Sequence, residues 1–114
     1  MIDFACKQFN LRDIIKCSLG LTKADLQVFE FLLQHEGSYN TDMIARKLKV
    51  DPSTVQRAVK KLHEKNLVKR TQVNLSGGGY TFEYEINDKK AIRKIIIDTV
   101  HNWTKRVETE IDKW

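Results

Sequence analysis

Several things are scarce in this sequence, and each scarcity excludes a class. No apolar run exceeds three residues, as in Ile95-Ile96-Ile97, so no segment reads as a membrane-spanning helix. One proline and five glycines among 114 residues are too few for a collagen-like or low-complexity chain. Two cysteines, Cys6 and Cys17, cannot build a disulfide scaffold, and they match no zinc-ligand spacing. The first residues have no basic start, apolar stretch and small-residue cleavage site, so no secretory signal is read there. Reduced thiols and a cytoplasmic location are the expectation. What remains is 41% hydrophobic and 31% charged, the balance of one soluble domain, or of one domain with an appendage.

The formal charge is +5, and its location matters more than its size. Residues 41–70 hold nine basic side chains (Arg46, Lys47, Lys49, Arg57, Lys60, Lys61, Lys65, Lys69, Arg70) against three acidic ones (Asp42, Asp51, Glu64), a net +6. The rest of the chain is therefore −1. A basic stretch inside a balanced domain suits a polyanion, although a solvated lysine face gives the same composition.

Periodicity divides the chain into three parts. Residues 1–20 form a leading segment, with Leu11, Ile14 and Ile15 at helical spacing and Gly20 as a stop. In 21–87, Thr22 caps a helix and Asp25 reaches back to it. Leu26, Phe29 and Leu33 make its apolar stripe, with Val28 and Leu32 beside them, and Gly37 ends it. Thr41-Asp42 opens a short helix with Ile44, Ala45 and Leu48 inward. Asp51 then caps a third helix with Pro52 in its first position, where a missing donor costs nothing. Val55, Ala58, Val59 and Leu62 are its buried stripe, and Asn66 is a left-handed stop. Residues 68–74 and 80–86 read as strands around the tip Leu75-Ser76-Gly77-Gly78-Gly79. Tyr80, Phe82, Tyr84 and Ile86 alternate with polar residues as a half-buried strand does. The triple glycine precedes a strand rather than a helix, which argues against a phosphate loop. From 88 to 114 helical spacing returns: Ile92, Ile96, Val100, Trp103, Val107, Ile111 and Trp114 form one stripe. Its length, roughly 40 Å at 1.5 Å per residue, exceeds what one small core covers.

Two short helices joined by a tight turn and followed by a β-hairpin predict a mainly α (α+β) fold, a winged helix-turn-helix with a long C-terminal helix. Residues 21–86 resemble the winged-helix domains of the MarR and TrmB regulator groups, the short archaeal TrmB-like members most. The resemblance is carried by Leu21-Thr22-Lys23-Ala24-Asp25, by Asp51-Pro52-Ser53-Thr54-Val55, and by Leu62-His63-Glu64-Lys65-Asn66-Leu67-Val68-Lys69-Arg70 leading into the wing. It implies a transcriptional regulator in which 21–87 bind DNA and 88–114 dimerise. Two positions depart from the pattern: Lys49 stands where the turn often has glycine, and the wing tip has no arginine.

In this reading residues 52–64 are the recognition helix. With its stripe inward, Ser53, Thr54, Gln56, Arg57, Lys60 and Lys61 face out. Arg57 suits bidentate contact with guanine and Gln56 with adenine. Ser53 and Thr54 suit phosphate or base edges, or they only complete the cap. Lys60, Lys61, Lys69 and Arg70 read as backbone contacts, and Thr41 stands where free amides of its helix can meet phosphate. Ile92, Ile96, Val100, Trp103, Val107, Ile111 and Trp114 are the expected homodimer contacts. Cys6 and Cys17 are a candidate redox pair if the leading segment folds back. The histidines are scattered over separate elements, and no nucleophilic triad, paired carboxylates or cofactor fingerprint is present. The expectation is therefore no enzyme, no cofactor, no metal, no membrane and no obvious small-molecule effector. The expected partners are double-stranded DNA and a second copy of the chain. Competing readings are a winged-helix module docking by its last helix in a larger assembly, a redox-responsive regulator, and a nonspecific chromatin-type protein.

Overall fold

A computed structural model describes residues 1–5 and 7–114. The described elements are β1 (Ile2–Phe4), β2 (Lys7–Phe9), α1 (Leu11–Ser18), α2 (Lys23–Gln34), α3 (Thr41–Leu48), α4 (Pro52–Glu64), β3 (Val68–Asn74), β4 (Tyr80–Ile86) and α5 (Lys89–Asp112). They fall into two compact units, Thr22–Asp88 and the pair of segments Met1–Leu21 with Lys89–Trp114.

In the unit Thr22–Asp88, side chains satisfy the first free amides of each helix. Thr22 accepts from the Asp25 amide at 3.1 Å while the Asp25 carboxylate accepts from the Thr22 amide at 2.9 Å, a reciprocal capping box. Asn40, one residue before the expected start, accepts from the Met43 amide at 2.8 Å. Asp51 accepts from the Ser53 amide at 2.9 Å, and Pro52 opens α4 as its missing amide hydrogen allows. The turn between α3 and α4 passes through Lys49 at φ 56°, ψ 46°. This is the left-handed region, sterically costly for any residue with a Cβ. Asn66 takes the same region after α4, at φ 61°. The core lies between the three helices and the inner end of the hairpin. Val28, Phe29, Leu32, Ile44, Val55, Val59, Leu62 and Leu67 are its largest fully buried side chains.

The wing pairs β3 with β4 in antiparallel register, from Val68 opposite Ile86 to Asn74 opposite Tyr80. Tyr39 adds a bridge to Tyr84 through two backbone hydrogen bonds of 2.9 and 2.8 Å. Burial along β4 departs from strict alternation: Tyr84 is buried, Phe82 and Ile86 are half-buried, and Tyr80 is exposed. The tip closes through a bond from the Leu75 amide to the Gly79 carbonyl at 3.0 Å. Gly78 and Gly79 have φ of 94° and 80°, backbone that a side chain would strain.

Three local expectations change. The buried face of α2 is centred on positions 25, 28, 29 and 32. Leu33 falls a further 100° round from Leu32 and is exposed, while Phe31 is buried. Helix α2 stops at Gln34, before Gly37. His35 is extended there, its ring stacks on Phe31, and its Nδ1 donates to the Phe31 carbonyl at 2.8 Å. In the second unit, the helix expected near 11–20 is present as α1, capped by Asn10. It is preceded by a hairpin in which Ile2 faces Phe9 and Phe4 faces Lys7. Helix α1 packs on α5.

Candidate nucleic-acid interface

Burial decides which side chains of α4 remain available. Val55, Ala58, Val59 and Leu62 face the core. Ser53, Gln56, Arg57 and Lys60 are exposed, and Thr54 is half-buried. Positions 53, 56, 57 and 60 follow helical spacing, so these four form one polar face along the helix. The Ser53 hydroxyl is engaged by the cap, donating to the Asp51 carboxylate at 2.8 Å. Hydrogen bonds from the Ser53 amide, and then from its hydroxyl, hold the Asp51 carboxyl below the ordinary aspartate range. The helix start is therefore fixed by an ionised cap at neutral pH.

Lys61 stands apart from the other cations. Its ammonium lies 2.9 Å from the Asp25 carboxylate, and that carboxylate is almost wholly buried. Burial raises the Asp25 pKa, but the hydrogen bonds from Thr22 and from Lys61 outweigh it and leave the carboxyl below its ordinary value. Lys61 thus ties α4 to the start of α2. Lys69 and Arg70 are both exposed, but as neighbours in β3 they point to opposite faces of the wing. Lys69 is in register with Glu85. Arg70 lies over the Phe82 ring, its guanidinium carbon 4.4 Å from the centroid, and Phe82 meets Tyr80 edge-on at 5.4 Å. Thr41 is half-buried in the first turn of α3.

Arg46 and Lys49 belong to the basic stretch 41–70, and their spacing alone gives them no role. They line a shallow depression beside Pro52, at the start of α4. Their position depends on the left-handed turn at Lys49, which spacing alone does not reveal.

On α5, Ile92 is buried, Ile96 and Val100 are half-buried, and every residue from His101 to Trp114 is exposed. Trp103 is 55% exposed and Trp114 is 99% exposed. Val107 and Ile111 complete the uncovered stretch. Cys17 is exposed and carries a free thiol, and Cys6 lies outside the described residues. Among the described residues, no group of His, Cys, Asp or Glu is placed to hold a metal ion, and no helix is long and apolar enough to cross a membrane.

Solved structures share this architecture. A possible transcriptional regulator from Methanosarcina mazei Go1 is 50% identical, with a TM-score of 0.94 over 100% of this chain and 96% of that one. A protein from the archaeon Sulfolobus tokodaii has the same fold, with a TM-score of 0.71 at 23% identity over 84% of this chain and 93% of that one. The capped helix pair, the hairpin beside it and these likenesses define a winged helix-turn-helix transcriptional regulator of the DNA-binding kind. Residues 15–90 match the family described as the sugar-specific transcriptional regulator TrmB, and the chain belongs to that family. An uncharacterised protein of Methanocaldococcus jannaschii is 33% identical over 108 residues, 95% of this chain and 81% of its own length.

Proposed function

We propose that the protein is a sequence-specific regulator that binds double-stranded DNA as a homodimer, with α4 in the major groove and the wing beside it. The observation that carries this reading is the exposed polar face of α4. The most basic quarter of the sequence forms the helix-turn-helix itself, and Gln56, Arg57 and Lys60 stand outward from its second helix. Arg57 and Gln56 read base edges, because the N-terminal part of such a helix reaches the groove floor. Lys60, Lys69 and Arg70 contact phosphates, giving affinity and register without sequence information. Thr41 and Thr54 contribute from the first turns of α3 and α4, while Ser53 acts mainly through the cap. Lys61 acts by holding α4 against α2 and meets phosphate only with the part of its side chain left in solvent. The uncovered half of α5 supplies the dimer contacts, since two exposed tryptophans on an apolar stripe need covering.

The test is selection from a randomised duplex pool followed by sequencing. The proposal expects enrichment of a site with approximate two-fold symmetry and half-sites about 34 Å apart. Uniform recovery of all sequences would favour a nonspecific chromatin-type protein. The exposed tryptophans of α5 also suit a module that docks in a larger assembly. In that reading the α4 face is merely solvated, and no duplex is retained.

A further inference from the structure

The two strands of the wing sort their charges by face. From the register, Arg70, Gln72, Asn74, Tyr80, Phe82 and Tyr84 share one face, and Lys69, Glu83 and Glu85 lie on the other. Both acids of the strands therefore stand with Lys69, and neither strand puts a carboxylate on the face of Arg70. Among the described residues, no carboxylate pairs with Arg70.

At the end remote from the tip, Val68 and Tyr84 of this face are buried. Toward the tip the face opens: Phe82 is half-buried and Tyr80 is 58% exposed. The open part is still ordered by its own contacts. The Arg70 guanidinium carbon lies 4.4 Å from the Phe82 centroid, and Phe82 meets Tyr80 edge-on with centroids 5.4 Å apart. Beside them the Gln72 amide donates to the Asn74 side-chain carbonyl at 3.4 Å. Core packing does not account for this row, since its outermost ring stands in solvent. Its parts are those of a single-strand platform: an aromatic face for a base, a guanidinium for a phosphate, and amides for base edges. A duplex has no base face to offer such a ring, because its bases are stacked on one another. The platform also continues directly from the helix assigned to DNA, Arg70 following the last residue of α4 by six positions.

We propose that this face of the wing is a second nucleic-acid site, which binds single-stranded DNA by stacking a base on Tyr80 while Arg70, held over Phe82, meets a neighbouring phosphate. Gln72 and Asn74 bond the edge of the stacked base. Stacking is sequence-tolerant because every base has a π-face, so this site adds a mode of binding rather than a second recognised sequence. It goes beyond the duplex reading and does not depend on a dimer, since all its residues belong to one wing.

The experiment measures fluorescence anisotropy of the full-length chain on a labelled oligothymidine of about 12 nucleotides, beside an abasic strand of equal length and charge. The oligothymidine should bind at least about tenfold more tightly, because only it can stack. Equal binding of the two strands, or no binding of either, would overturn the site and leave the duplex reading standing. Tyr80→Ala should weaken binding of the oligothymidine about tenfold and leave duplex affinity unchanged, whereas Tyr80→Phe should bind as wild type does. Tyr80→Leu keeps an apolar group but has no ring, and it should behave as Tyr80→Ala. A leucine variant as tight as wild type would show simple apolar contact and overturn the stack. Equal losses on single strand and duplex for Tyr80→Ala would make the ring part of the duplex interface, against the proposal. A change in sedimentation of the free chain on Tyr80→Ala would put a second copy on this face. An oligouridine held about tenfold more tightly than the oligothymidine would make the ligand RNA. Either result would overturn the assignment to single-stranded DNA.

Discussion

Asp25 shows how one carboxylate is given two structural tasks. It closes the capping box with Thr22 and accepts the Lys61 ammonium from α4. Because its pKa is lower in the folded chain than its ordinary value of about 3.9, the stabilisation is complete above that value and is lost as pH falls through the folded pKa. Asp25→Asn should therefore lower the unfolding free energy by about 1–2 kcal/mol at neutral pH, a figure kept small because Lys61 is still a third exposed. In urea titrations at several pH values, the gap between variant and wild type should narrow below pH of about 4. A gap that widens on acidification would contradict the sign. The capping half of this arrangement is legible in the spacing of Thr22 and Asp25, but the Lys61 half is not. It joins residues 36 positions apart, and sequence spacing carries no signal for a contact between helices. Arg57 and Lys60 are exposed, and their outward direction is legible from the apolar stripe of α4 alone. Arg57→Ala should cost about 1–3 kcal/mol at the preferred site and relax one base position, whereas Lys60→Ala should weaken all sequences alike and reduce the salt slope by about one. Equal losses on preferred and random duplex for Arg57→Ala would reassign the reader.

At the scale of elements, the turn between α3 and α4 sets the angle at which α4 is presented. It does so with a lysine in left-handed backbone. Lys49→Gly should stabilise the fold by about 0.5–1 kcal/mol, the steric relief being partly offset by greater freedom in the unfolded chain. A thermal melt checks this, and an unchanged or lower midpoint would show that the lysine makes a compensating contact. Since Lys49 also stands beside the start of α4, the same variant should bind duplex more weakly despite its stability. The start of α4 is legible to the residue because Asp51-Pro52 is both a cap and a first-turn signal. The wing strands are legible because period-two spacing flanks a glycine tip. The N-terminal hairpin is not, since three-residue strands are too short to establish alternation. Nor is the stacking of Arg70 on Phe82, which needs the register of two strands as well as their positions.

For the whole molecule, the length of the apolar stripe on α5 separates the part covered by its own chain from the part left open. Ile92, Ile96 and Val100 are at least partly covered, and everything beyond is exposed. A chain ending after His101 should therefore keep its fold by circular dichroism, sediment as a monomer and lose tight DNA binding, because one half-site makes too few contacts. Trp103→Ala should weaken the dimer by about 2 kcal/mol or more. A shortened chain that remains dimeric would move the interface elsewhere. The most direct test of the account as a whole is a fluorescence anisotropy titration of the full-length chain on duplex DNA across a series of salt concentrations. A regulator that grips phosphates with the exposed cations of α4 and the wing should lose affinity steeply and linearly on a log–log plot as salt rises. Absence of binding at low salt, or binding indifferent to salt, would contradict it.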